Sequence, residues 1–328
     1  MKRVCQSKFR IPDYKLEKIW YTVISSKERT IKMSELKEKI NFYVPDFYSN
    51  APLYIMLADF MQTLPQWFYD DFKISAAYGS FPNCIWNGGR VGFDKITRPV
   101  MDVVIQELNK RGIAVRYTFT NPLLEEKHMS DTFSNICLEA ANNGMNEVLV
   151  NTQVIEDYVR ANYPGFKIIS STTKCLRTIE EVERELEKDY YLVVLDSCLN
   201  KDERIFSLEG RDRLELLVDH GCYFNCPNSE RHYEELGRSQ LTFTETRFSC
   251  PTVGKTFEEI MQGEHSISRE LMTEKYIPGG IKHFKLDGRS FQPEKLVDSL
   301  LYYMVKPQFR PKMKEIIKEG VYENRPSW

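Results

Sequence analysis

Arg213-Leu-Glu-Leu-Leu-Val-Asp-His-Gly-Cys-Tyr-Phe-Asn-Cys-Pro-Asn228 is the stretch on which the fold turns. Its first six residues alternate in type and read as a buried strand. The Asp219-His220-Gly221-Cys222 step then leaves the sheet at a turn, with Cys226-Pro227 close behind. A short apolar strand that ends in a polar, glycine-containing loop is the repeating unit of a parallel sheet covered on both faces.

The same unit recurs in both directions. Strands are expected at Ile40–Val44, Phe72–Tyr78, Ile113–Phe119, Glu147–Val150, Phe166–Ile169, Tyr191–Leu195, Arg213–Val218 and Ile281–Leu286. Between them, apolar spacings of three and four predict helices over Ile96–Arg111, Ser130–Asn143, Val154–Ala161, Ile179–Leu186 and Pro293–Met304. Gly112 and Gly144 stand where the first two should stop. Eight strands alternating with helices predict a (β/α)8, TIM-like barrel. An open doubly wound sheet is the alternative, but no glycine-rich phosphate loop follows any strand. The expected organisation is an N-terminal extension over residues 1–39, containing a helix over Met33–Ile40, and a barrel over 40–328. Residues 228–280 are too long for an ordinary β–α connection and are expected to form an insertion or lid before the last strand.

The chain has 328 residues, 42% hydrophobic and 28% charged, with a net charge of −2. That balance is ordinary for a globular enzyme and marks neither nucleic acid nor anionic membrane as an obligatory partner. No apolar run approaches the roughly 20 residues of a membrane span, and the basic start Met1-Lys-Arg lacks a signal-peptide core. A cytoplasmic location follows as the expectation. Eight cysteines are then read as thiols rather than disulfides. Cys137, within a helical pattern, reads as core filler, whereas Cys222 and Cys226 lie among Gly, Asn and Pro.

In a barrel of this kind the reactive groups lie at the C-terminal ends of the strands. Three of the cysteines, Cys222, Cys226 and Cys250, belong to loops expected there and form a candidate metal site. Four thiolates suit a [4Fe–4S] cluster, or zinc as the alternative. Cys84, in an irregular loop with Pro82, Asn83 and Gly88-Gly89, is the preferred fourth ligand and Cys198 the reserve. A single Cys-x3-Cys pair is a weak motif, and a site without metal stays open.

Two motifs carry a resemblance. Arg213-Leu-Glu-Leu-Leu-Val-Asp-His-Gly-Cys222 resembles the strand and cysteine of the U32 peptidase-like family, and His283-Phe-Lys-Leu-Asp-Gly-Arg289 resembles its Phe-Lys-Ile-Glu-Gly-Arg signature. The likeness spans roughly Phe72 to Met304. It implies a TIM-like barrel with a [4Fe–4S] cluster on four cysteines. It also implies an oxygen-independent hydroxylation or related redox or group-transfer reaction on a small molecule or RNA, with an electron donor and, for some relatives, a partner subunit. Cys222, Cys226, Cys250 and Cys84 are the positions that would carry the ligands.

Catalytic candidates are Asp196, His220, Lys285 and Asp287; Asn87, Arg90, Asn151 and Arg289 are candidates for substrate binding. Lys285 and Asp287, two apart, should share one side of the last strand, as a catalytic pair or as a buried ion pair. A peptidase, as the family label suggests, is the first alternative, but neither a Gly-x-Ser-x-Gly elbow nor a His-Glu-x-x-His helix is present. An RNA- or partner-binding barrel with a structural zinc site is the second.

Overall fold

The structure, a computed structural model, describes residues 39–246, 248, 255–287 and 293–322. Residues 1–38 of the expected extension, with most of the expected Met33–Ile40 helix, lie outside the described residues, as do Cys250 and Arg289. Ile40 itself opens a strand rather than closing a helix.

Eight parallel strands close into a barrel in chain order: β1 (Ile40–Pro45), β2 (Phe72–Gly79), β3 (Ala114–Phe119), β4 (Glu147–Val150), β5 (Lys167–Ser170), β6 (Leu192–Val194), β7 (Leu214–Leu217) and β8 (His283–Lys285). The seam closes where Asn41, Phe42 and Tyr43 pair with His283, Phe284 and Lys285. Every strand expected from the sequence is present: β3, β6, β7 and β8 are trimmed by a residue or two at the ends, β1 and β2 run one residue further, β5 is shifted by one and β4 matches.

Around the barrel run α1 (Ala51–Thr63), α2 (Arg98–Asn109), α3 (Thr132–Ala141), α4 (Gln153–Asn162), α5 (Ile179–Leu186), α6 (Ser229–Thr242), α7 (Phe257–Met261), α8 (Pro293–Met304) and α9 (Arg310–Ile317). Local chemistry starts and stops them. Asp131 accepts the Ser134 amide at 2.7 Å to cap α3, and Thr178 with Glu181 forms a capping box on α5. Gly112 takes a φ of +76° just beyond α2, a conformation that other residues adopt only at a cost.

Outward residues such as Phe42, Val115, Val148, Val193 and Leu216 pack beneath the helices in the main core. The barrel lumen holds a second core of Tyr43, Ala76, Tyr78, Ala114, Leu149, Ile169, Leu192 and Val194. Within it Arg116 is completely buried, 3.8 Å over the Tyr43 ring, and ion-paired at 2.6 Å with both Glu147 and Glu215. Tyr43 Oη also hydrogen-bonds His283 Nδ1 at 2.7 Å. Burial and the nearby Arg116 push the His283 imidazole down to about 3, so it stays neutral. The lumen is thus plugged by side chains, and the accessible chemistry lies at one end.

Part of the long connection after β7 folds over that end. In α6, Gly237 lies so close to Asn121 that a Cβ would sit 2.3 Å from its Oδ1. Asn121 Nδ2 donates to the carbonyls of Gly237 and Ile85, tying helix and mouth loops together.

Candidate functional site

β7 delivers its last sheet bond from Val218 N to Lys285 O at 3.0 Å, and the next three residues build the site. Asp219 is fully buried between β7, β8 and α8. It accepts from the Asp287 amide at 2.6 Å and from Ser299 Oγ at 2.5 Å. Burial, helped by the negative charge of Asp287, pushes its carboxyl up to about 7.

His220 follows, half-buried, with Nδ1 2.9 Å from Ser197 Oγ and its carbonyl accepting from His265 Nε2 at 2.6 Å. Burial lowers the imidazole pKa, while Asp287 acts to raise it. The Gly221 amide then donates to Asp287 Oδ2 at 3.3 Å. Burial alone would raise Asp287, but His220, Lys295 and Arg90 together hold it well below the usual carboxylate range. Two carboxylates at adjacent strand ends are therefore driven in opposite directions, a pattern associated with acid–base sites.

Lys285 closes β8, whereas Asp287 lies two residues beyond it and accepts from the Gly221 amide. The Lys285 ammonium lies 4.1 Å over the Tyr78 ring, a cation–π contact inside the barrel. Arg90 comes from the loop after β2 and lines a cavity of about 460 Å³, with Asp46, Ser80, Asn87, Pro293 and Leu296 among its walls. Asn87 is spent on architecture: its Oδ1 accepts from Thr118 Oγ1 at 2.7 Å and its Nδ2 donates to Arg90 O at 2.8 Å. It positions Arg90 rather than offering free polar atoms to a substrate. Asn151, at the end of β4, donates to Thr173 Oγ1 at 2.8 Å and remains partly exposed.

Beyond β6, Asp196 accepts the Cys198 amide at 3.0 Å and faces Arg177 Nε at 3.6 Å. Burial and Asp196 push the Cys198 thiol up to about 12. Arg177 also donates to Cys226 O at 2.8 Å and bonds Ser229 Oγ, which lies 3.7 Å from Cys175 Sγ. The loops after β5 and β6 thus bring Cys175 and Cys198 near one guanidinium, which the loop after β7 meets through the Cys226 carbonyl, with Cys222 four residues before it.

Cys84 does not join them. Its thiol is fully buried against Ser134 Oγ at 3.3 Å and against Cys137 of α3. Burial would raise its pKa, but hydrogen bonding with Cys137 and Ser134 brings it down. The reason is local. Phe81, Cys84 and Trp86 are the apolar side chains of this loop and tuck into the core, leaving Asn83 and Arg90 toward the outside. Among the described residues no three His, Cys, Asp or Glu side chains are grouped to hold a metal ion. The expected ligand set therefore does not assemble there: Cys84 is turned inward and Cys250 lies outside the described residues.

Several members of the site were not singled out from the sequence. Lys295 and Ser299 lie on a helix, four apart and hence on one face; that spacing is the signal that could have flagged them. Asp219 is marked only as a polar group at a strand end, and Arg177 and His265 carry no mark at all.

No protein-family model matches the chain, and no curated protein does. Solved structures do. A U32 peptidase structure aligns at 13% identity over 80% of this chain and 97% of that one, with a TM-score of 0.46. An HpcH/HpaI aldolase from Desulfitobacterium hafniense DCB-2 aligns at 11% identity over 88% and 96%, TM-score 0.32. A GH113 β-1,4-mannanase aligns at 9% over 77% and 88%, TM-score 0.25. The architecture rests on the closed order of the strands and the chemistry on the residues themselves.

Proposed function

We propose that this chain is an enzyme whose chemistry takes place at the C-terminal mouth of the barrel, with His220 and Asp287 moving a proton on a small polar substrate. The observation that carries this reading is the pairing, at the ends of β7 and β8, of an imidazole whose pKa burial lowers with a carboxylate that His220, Lys295 and Arg90 hold ionised. Ser197 occupies His220 Nδ1, which leaves Nε2 to take a proton from a bound molecule. Asp287 then stabilises the imidazolium that forms, and Asp219 fixes Asp287 through its amide. Incubation with a mixture of small metabolites, followed by mass spectrometry, tests this. Turnover by wild type is expected to be lost in His220→Gln and Asp287→Asn. Turnover retained in both variants sinks the assignment.

A second reading, iron–sulfur-dependent redox or group transfer, is favoured by one observation: the thiol-bearing loops after β5 to β7 meet at Arg177, whose positive charge acts to lower the Cys175 and Cys198 thiols against the burial that raises them. Such a centre would supply electrons or an open iron. Because its donors do not assemble among the described residues, no step is routed through it. Iron and sulfide assays on anaerobically purified protein decide the matter. Loss of both is expected in Cys222→Ala and Cys226→Ala, with retention in Cys84→Ala; wild type free of iron overturns the reading.

A further inference from the structure

We propose that His265 is a positioning residue for His220. It grips the His220 main chain so that the imidazole keeps a single tautomer, with the Nδ1 proton on Ser197 and Nε2 left for the substrate. The proposal rests on the proton-transfer reading and adds to that site a residue from the long connection before β8.

The need for such a residue begins in the strand. β7 pairs with β6 only as far as Glu215 and with β8 only as far as Leu217. The carbonyls of Val218 and His220 come after the last paired residue, and main-chain carbonyls in a buried turn require partners. Residues 265–267 supply them. Ile267 N donates to Val218 O at 2.9 Å, and His265 Nε2 donates to His220 O at 2.6 Å. Asn200 Nδ2 ties the two segments together, donating to Leu217 O at 2.8 Å and to His265 O at 2.7 Å. His220 is thus held at its backbone by His265 and at its ring by Ser197.

The same bond fixes the tautomer of His265. A carbonyl only accepts, so Nε2 carries the proton. Nδ1 is then a buried acceptor without a hydrogen-bond partner among the described residues. The side chain is only 4% exposed. Phe224 lies over it, with the ring planes 7° apart and the centroids 6.1 Å apart. A covered ring with one nitrogen spent on a carbonyl and the other facing no partner is poorly placed to exchange protons with a substrate. Its contribution is the grip on His220, whose ring centroid is 5.8 Å from its own.

Nitrogen-15 NMR of the histidine-labelled full chain in mildly alkaline buffer tests the proposal. The chain has five histidines, and the two ring nitrogens of each report its tautomer. His265→Gln keeps a side-chain N–H for the carbonyl, whereas His265→Phe keeps a ring without one. Wild type is expected to show His265 protonated at Nε2 and His220 at Nδ1. His220 should hold that single form in His265→Gln and become a mixture of tautomers in His265→Phe. With a substrate found by the metabolite screen, His265→Phe should lower kcat about tenfold to a hundredfold at little changed KM, and His265→Gln should restore most of it. Circular dichroism confirms that the variants fold. An unchanged His220 spectrum in folded His265→Phe overturns the proposal. So does His265 protonated at Nδ1 in wild type, a result that needs no variant. A wild type that turns over nothing defeats the proton-transfer reading alone, because the tautomers are read without substrate.

Discussion

Asp219 carries a carboxylate into a place with no water and a negative neighbour, and that has a consequence for stability. Its folded pKa is raised to about 7, so the folded chain binds this proton more tightly than the unfolded chain. The stabilisation is complete below the ordinary Asp value of about 3.9 and is lost as pH rises through about 7. Asp219→Asn keeps the shape and removes the titration. Its melting temperature is expected to gain on wild type steadily between about pH 4 and pH 7; a variant less stable by a constant amount at every pH would show that burial does not govern this group. Asp287 runs the other way: its lowered pKa supports the fold above the ordinary Asp range and is lost in strong acid. For His220, exchange of its carboxylate neighbour in Asp287→Asn should lower the imidazole pKa further, as read by NMR titration, because Asp287 acts to raise it. In the lumen, Arg116→Met would strand the Glu147 and Glu215 carboxylates. Urea unfolding should show a loss of about 3–5 kcal/mol. Residues such as Asp219 and His220 were legible as strand-end polar groups. Their opposed environments were not, because those depend on Ser299 and Lys295, contributed by a helix some seventy to eighty residues later.

Among the elements, strands were easier to read than helices, of which α1, α6, α7 and α9 had no counterpart in the sequence reading. β4 and α5 match their expected limits because each is bounded by clear turn or capping residues. The helix α1 escaped notice since Ala51, Leu53, Tyr54, Leu57, Ala58 and Phe60 are all buried, which blurs the amphipathic period that marks a surface helix. The loop after β2 was read as accessible, and the structure divides it: Asn87 and Arg90 serve the mouth while Cys84 descends to Cys137. Spacing in a loop carries no period from which such a division could be read. The contact of α6 with the mouth is similarly tight. Alanine at Gly237 would gain about 1 kcal/mol of helix propensity, yet its Cβ would meet the tethered Asn121 at 2.3 Å. The clash should win. Gly237→Ala is expected to speed amide hydrogen exchange across α6 while leaving β1 to β5 protected; unchanged exchange in α6 would mean that Asn121 simply moves aside.

For the whole molecule, closure of the sheet does what no single strand can. The three-residue β8 supplies both neighbours that leave β1 and β7 without exposed edges. A chain ending at residue 280 should therefore lose the cooperative melt of the intact protein rather than part of it, as calorimetry would show. The barrel was legible because eight repeats of one hydrophobic pattern fix an architecture even when each boundary shifts by a residue or two. Convergence of sulfurs was not legible, because it depends on where loop tips fold and not on the order of strands. Arg116 and its partners have a final bearing on traffic. They make the lumen a cul-de-sac, so whatever reaches the rim beneath α6 must depart by the way it came. In the proposed enzyme, a product held at the rim would have to depart before the next substrate could take its place.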